Sequence, residues 1–241
     1  MPIGIPLVPI VIPPAYPSAY PWLDDDDTDT DNDNVFWVNI YDVLYQHKFL
    51  FLCKDIENDI ENQLVALFLY LNAYDTWTDF TLFINSPGGS VLSGMTIFNA
   101  MELVTADVAT ICVGIAASMA SFLLAAGSSF KRYAFPHARV MIHQPYADFS
   151  EENYNQKDPQ KDPQKDPPKR LWHKDANRLF SEMDELMVIQ ETIANIYAKK
   201  TGQPLETILT DLERDFYMSA TEAKDYGIID YVARNRKSYK S

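Results

Sequence analysis

Two periods alternate along most of the chain. From about Val35 onward, short runs of apolar residues take turns with segments in which apolar positions recur every three or four residues. "KFLFLCKDI" predicts a strand, "ENQLVALFLYLNAY" a helix, "DFTLFINSPGG" a strand and turn, and "MTIFNAMELV" a helix. "DVATICVGIA" follows as a strand, "SMASFLLAAG" as a helix ending near Gly127, and "RVMIHQP" as a strand closed by Pro145. Such alternation predicts an α/β fold: a mostly parallel sheet covered by helices.

Two stretches break the pattern. Residues 1–34 join a Pro-rich apolar segment to "DDDDTDTDNDN", which no core accommodates and which reads as a solvated loop. A calcium loop starting at Asp27 would have Asn32 where glycine is wanted and Val38 where glutamate is wanted, so that reading is weak. Further on, "QKDPQKDPQKDPPKR" repeats a four-residue unit whose prolines forbid a regular helix, and it reads as an exposed insertion. Beyond it, Leu179, Met183, Leu186, Ile189, Ile193 and Ile196 share one face of a long amphipathic helix, with Gly202 just past its end. Ser219 and Glu222 form a capping box ahead of a short helix stopped by Gly227.

Composition narrows the function classes. The chain has 241 residues, nearly half of them apolar, enough for a sizeable core. Its formal charge of -14 argues against a nucleic-acid partner, which needs clustered Lys and Arg. Much of that charge is local: no Lys or Arg precedes Lys48, and seven Asp lie between Asp24 and Asp33. Cys53 and Cys112 are far apart and form no CxxC, so neither a disulfide framework nor a zinc site is indicated, and a reducing compartment fits. The first 22 residues are apolar but interrupted by prolines and lack a basic segment, so neither a signal peptide nor a membrane span is expected. They also lack the Arg- and Ser-rich character of a transit peptide, which predicts synthesis inside any organelle the protein serves. None of the eight glycines precedes a lysine, so no phosphate-binding loop for ATP is present.

Candidate chemistry starts at Ser118, where "VATICVGIA" gives way to "SFLLAAG". A strand-to-helix junction can hold a side-chain oxygen exposed beside backbone N–H groups, although a serine packed where elements meet reads the same. A serine nucleophile needs a base, a group that orients the base, and donors for the oxyanion. Of four histidines, His143 stands at the carboxyl end of an apolar strand, where open α/β sheets place their sites, and is the best base candidate. His47, His137 and His173 have no such placement. Asp215, between charged residues and a buried-looking "FYM", is the candidate acid, with a solvated surface acid as the alternative. "NSPGG" offers a turn whose backbone can approach a substrate, as would any tight turn.

Taken together, "FINSPGGSV", "GIAASMASFLLAAG", "RVMIHQP" and "ERDFYMSATEAKDYGIID" closely resemble, in order, segments of the Clp protease proteolytic subunit family. The resemblance runs from about Val35 to Val232, the repeat excepted, and "MPIGIPLVP" and "FPHARVMIHQP" look most like plastid-encoded members. It implies a spiral of β-β-α units of the ClpP/crotonase type with a protruding handle helix. It implies a serine endopeptidase with nucleophile Ser118, base His143 and orienting acid Asp215, and an oxyanion hole from the Gly89 and Met119 amides. No cofactor or metal is implied; ATP is used by a ring-shaped AAA+ chaperone that delivers unfolded proteins. Two stacked seven-membered rings, mixing active and inactive subunits, are expected in the chloroplast stroma, with a bacterial-type cytoplasm as runner-up. Residues 1–34 would then be an axial segment with an acidic extension, 35–145 the first part of a head domain, 146–200 the handle region with the repeat, and 201–241 the head's completion and tail. Other readings are a non-catalytic ring subunit, or an acyl-CoA enzyme of the crotonase fold. Activity is expected to fall on the acid side of neutrality as the base protonates.

Overall fold

The computed structural model describes residues 5–11, 35–145 and 176–233. The acidic stretch, the QKDP repeat and His173 lie outside these residues.

All seven elements predicted between Lys48 and Pro145 are present. They are strand β3 (Phe49–Leu52), helix α2 (Asn58–Tyr74), β4 (Phe80–Ser86), α3 (Val91–Leu103), β5 (Val108–Ala117), α4 (Met119–Ala126) and β7 (Arg139–Ile142). Strands β3, β4 and β5 pair in parallel, as β-α-β connections require. β5 is ten residues long and serves two neighbours on the edge opposite β4. Its first half pairs with the short β6 (Arg132–Ala134) and its second half with β7, so the sheet divides toward its carboxyl end instead of continuing flat. Where β4 leaves register between Ile84 and Ser86, the Asn85 side chain accepts the Ile115 N–H at 3.1 Å and takes over the missing backbone partner. The C-terminal chain returns to the same sheet: β8 (Phe216–Ser219) runs antiparallel to β7, and β9 (Tyr231–Val232) parallel to β6.

Helices α2, α3 and α4 pack side by side, and α4 lies against the long α5 (Ala176–Thr201). Every residue of α4 is buried, which is why "MASFLLAA" is apolar or small all round rather than amphipathic. Along α5 the apolar residues have two fates. Ile193, Ala194 and Tyr197 enter the core, whereas Met183, Met187 and Val188 are exposed. The predicted capping box opens α7 (Ala220–Tyr226): Ser219 Oγ accepts the Glu222 N–H at 3.3 Å and Glu222 Oε2 accepts the Ser219 N–H at 2.8 Å.

Several elements had no counterpart in the sequence pattern. Strand β1 (Leu7–Val11) pairs antiparallel with β2 (Val35–Asn39), so the Pro-rich N-terminal segment is tied into a ladder. Helices α1 (Ile40–Gln46) and α6 (Leu205–Leu212), together with β6, β8 and β9, are too short to show a full period. "FYM" is not uniformly buried: Met218 is, but Tyr217 is exposed, as the alternation of a strand demands. Lys48, read as the first residue of a strand, is one of the largest buried side chains. Its Nζ donates to the carbonyls of Asp75 and Thr78, lies 3.7 Å from the Asp75 carboxylate and sits 4.5 Å above the Phe80 ring. The ammonium thereby closes the C-terminal end of α2.

Candidate active site

Ser118 occupies a single-residue junction between β5 and α4. Its backbone is at φ 55° and ψ −127°, a conformation that L-residues rarely adopt and that survives only where the surroundings over-determine it. The Ser118 N–H donates to the Met141 carbonyl of β7 at 2.9 Å, and the Ser118 carbonyl accepts the N–H groups of Ser121 and Phe122 at 3.0 and 3.2 Å. Against this junction presses the turn after β4. Gly88 sits at φ 99°, and a Cβ there would come within 2.6 Å of the Ala117 carbonyl and 2.7 Å of Ser118 Cβ. At Gly89 a Cβ would fall 2.4 Å from the Ile56 carbonyl. Both glycines of "NSPGG" are therefore required by close approach, which distinguishes this from an ordinary tight turn. Among the described residues, neither the Gly89 nor the Met119 amide donates a hydrogen bond within the fold.

Sheet register brings the other two groups to the same edge. Ala117 of β5 pairs with Met141 of β7, so Ser118 and His143 emerge together at the carboxyl ends of parallel strands. Ile142 pairs with Phe216 of antiparallel β8, so the next positions outward, His143 and Asp215, stand opposite each other. His143 Nε2 lies 2.8 Å from Ser118 Oγ, and His143 Nδ1 lies 3.1 Å from Asp215 Oδ1. A carboxylate only accepts, so the imidazole carries its proton on Nδ1 and presents a lone pair at Nε2 to the serine O–H. The imidazole is mostly covered, with 19% of its side chain exposed, whereas Asp215 is 59% exposed. Three residues separated by 25 and 72 positions are thus in one hydrogen-bonded file.

The other two described histidines, His47 and His137, are not part of it. His47 caps α1 near Phe49, and His137 is exposed in the turn before β7. Among the described residues no cluster of three or more His, Cys, Asp or Glu is gathered as a metal would need.

Beside Ser118 and His143 is a cavity of about 10 Å³, room for one water-sized group, walled by Val91, Met119, Phe122, Ile193 and Tyr197. Sequence reasoning missed Val91, Phe122 and Tyr197. Ile193 was visible only as part of an apolar stripe, and nothing local says that the stripe ends against the nucleophile. A hydroxyl on a strained elbow, an imidazole with its lone pair aimed at it, a carboxylate behind, and two amides alongside that donate to none of the described residues are the parts of a serine hydrolase.

Comparison with known proteins makes the class specific. The Clp protease family model matches residues 31–160 and 167–236, and the break between the two spans falls inside the QKDP repeat. The chain is 43% identical over 233 residues to the ATP-dependent Clp protease proteolytic subunit of Oltmannsiellopsis viridis, covering 97% of this chain and 99% of that protein. It is 42% identical to the protein of the same name from Panax ginseng and to the chloroplastic ATP-dependent Clp protease proteolytic subunit 1 of Arabidopsis thaliana, with the same coverage of both chains. The chain belongs to the Clp protease family, and its function is that of a serine-type protease subunit. The resemblance read from four motif blocks holds over nearly the whole sequence, and the α/β architecture is the one it implied.

Proposed function

We propose that this chain cleaves peptide bonds with Ser118 as nucleophile, His143 as general base and acid, and Asp215 as the group that orients and stabilises the imidazole. The observation that carries the reading is the file from Ser118 Oγ to His143 Nε2 at 2.8 Å and from Nδ1 to Asp215 Oδ1 at 3.1 Å. Ser118 Oγ attacks the scissile carbonyl carbon while its proton passes to His143 Nε2. The developing oxyanion is met by the N–H groups of Gly89 and Met119, the second at the positive end of α4. His143 then protonates the departing amine. Water repeats the sequence on the ester, returning Ser118 and releasing the second fragment. No cofactor or metal takes part.

The names of the relatives support an ATP-dependent protease complex, and this sequence has no phosphate-binding loop, so ATP is used by a partner, which the family resemblance makes a AAA+ chaperone ring that delivers unfolded protein. The exposed Met183, Met187 and Val188 on α5 support a handle surface through which subunits meet, and the family resemblance makes the assembly two stacked seven-membered rings of active and inactive subunits. The family resemblance assigns 35–145 and 201–241 to the head and 1–34 to an axial segment with its acidic extension, most of which lies outside the described residues. A relative named chloroplastic, with "MPIGIPLVP" at the start of this sequence, supports the plastid stroma as the compartment.

The test is Ser118→Ala in the assembled complex. Loss of the nucleophile of such a triad costs ~10⁶ in kcat. Labelling of this 27.5 kDa chain by a fluorophosphonate should disappear while circular dichroism and assembly are unchanged. Undiminished labelling would refute the assignment.

A further inference from the structure

Behind the nucleophile elbow is a buried polar pair that the triad does not use, its tyrosine ring also walling the small cavity beside Ser118 and His143. Ser121 is fully buried and Tyr197 is 2% exposed in an otherwise apolar region. Ser121 Oγ donates to the Ser118 carbonyl at 2.6 Å and lies 2.9 Å from the Tyr197 hydroxyl. A serine has one proton to give, and it is spent on the Ser118 carbonyl, so the Tyr197 O–H is the donor to Ser121. Burial pushes the Tyr197 phenol well up from its ordinary value, so that proton is retained at any working pH.

The target of this chain of donors matters. The Ser118 carbonyl and the Met119 N–H belong to one peptide group, which is planar and trans, so the two point in opposite directions. Whatever fixes the carbonyl aims the N–H. The peptide group also follows a residue in an unfavourable backbone conformation, so it has a reason to rotate if released. Both ends of α4 are tied. At its far end Lys200 Nζ of α5 donates to the Ala126 carbonyl and Thr110 Oγ1 to the Leu124 carbonyl, each at 2.8 Å, while at the near end Tyr197 of the same helix acts through Ser121.

We propose that Ser121 and Tyr197 are positioning residues that hold the Ser118–Met119 peptide group so that the Met119 amide meets the oxyanion. This rests on the reading of that amide as an oxyanion donor. Neither side chain touches the reacting atoms through its hydroxyl. Their effect is on the chemical step and not on substrate binding.

The experiment measures labelling of this chain in the full complex by a peptidyl fluorophosphonate, separating the maximal rate from the half-saturating concentration. Tyr197→Phe keeps the ring, and with it the edge-on contact to Phe122 at 5.6 Å and the cavity wall, so packing is preserved. Loss of a whole oxyanion donor costs ~10²–10³ in rate. A misaimed one should cost less: ~10-fold or more for Ser121→Ala and ~3-fold or more for Tyr197→Phe, with the half-saturating concentration unchanged. The double variant should resemble Ser121→Ala, because Tyr197 acts only through Ser121. A peptide aldehyde, whose tetrahedral adduct also needs the oxyanion hole, should lose affinity in proportion to the maximal rate. Maximal rates within twofold of the parent for both single variants, with Ser118→Ala still inert, would overturn this inference alone. Labelling of Ser118→Ala would overturn the active-site assignment with it. A rise in half-saturating concentration at constant maximal rate would also overturn it, showing a role in the binding wall.

Discussion

Asp215→Asn is the perturbation that isolates the electrostatic contribution of the third member. The substitution is nearly isosteric and the side chain is 59% exposed, so the fold should tolerate it. What changes is the charge beside an imidazole that, in the proposed mechanism, becomes cationic when Ser118 attacks. At the observed 3.1 Å, a unit charge pair is worth roughly 5.4 kcal/mol at an effective dielectric of about 20 and roughly 2.7 at about 40. At about 1.4 kcal/mol per factor of ten these bracket a loss of ~10²–10⁴ in kcat. The exposure of Asp215 favours the weaker end, near ~10². A second effect acts in the same direction: an amide NH₂ turned toward Nδ1 leaves the imidazole proton on Nε2, where it cannot accept from serine. The assay is steady-state hydrolysis of a fluorogenic peptide by the assembled complex, with labelling used to resolve this chain from its partners. The expected result is a kcat loss of ~10² or more with KM unchanged. A loss below threefold, in a variant with normal circular dichroism and assembly, would show that the carboxylate does not serve this imidazole.

Three further outcomes follow from the packing. Gly88→Ala forces a side chain onto a φ 99° backbone against Ala117 and Ser118. It should lower thermal stability, by ~1–3 kcal/mol from backbone strain alone, and slow fluorophosphonate labelling more than tenfold; unchanged values of both would contradict the close approach. Arg132 is buried and donates to Asp230 and to the carbonyls of Lys200 and Gly227, clamping β6 to the ends of α5 and α7. Arg132→Met removes the guanidinium from Asp230, leaving it only the N–H of residue 132, and should cost about 3–5 kcal/mol in urea denaturation, and a change below 1 kcal/mol would sink the idea. Burial pushes the Cys112 thiol up to about 12, leaving a thiolate fraction of ~10⁻⁴ at pH 8. Iodoacetamide at that pH should therefore modify exposed Cys53 first and reach Cys112 only on unfolding; equal rates by peptide mapping would be inconsistent with the buried site.

Much of the fold could be read from local pattern because long elements carry their own period. α2 and α5 each span several turns, and β4 and β5 are apolar runs ended by glycine or small residues, so their existence needed no partner. The elements that escaped are short or were masked by their context. β6 is three residues long and exists because β5 is long enough to pair twice, and β1 exists because β2 returns to it. Lys48 resisted prediction for a related reason: a lysine is buried only when carbonyls far along the chain converge on its ammonium.

The active-site candidates divide in the same way. Residue chemistry and motif spacing were enough to nominate Ser118, His143, Asp215 and the NSPGG turn, because nucleophile, base, acid and close-approaching backbone each demand particular residue types, whereas Gly89 and Met119 as amide donors came from the family resemblance. Whether the three side chains meet was undecidable from one dimension, since the relevant separations are 25 and 72 residues. That was settled by strand register, β7 beside β5 and β8 beside β7, which sets heights along the sheet to within one residue. The strain at Ser118, the pressure of Gly88 upon it and the buried Tyr197–Ser121 support likewise depend on distances between separate elements. Periodicity determines which face of a segment is apolar, whereas only the packed chain decides what that face, or a hydroxyl upon it, will touch.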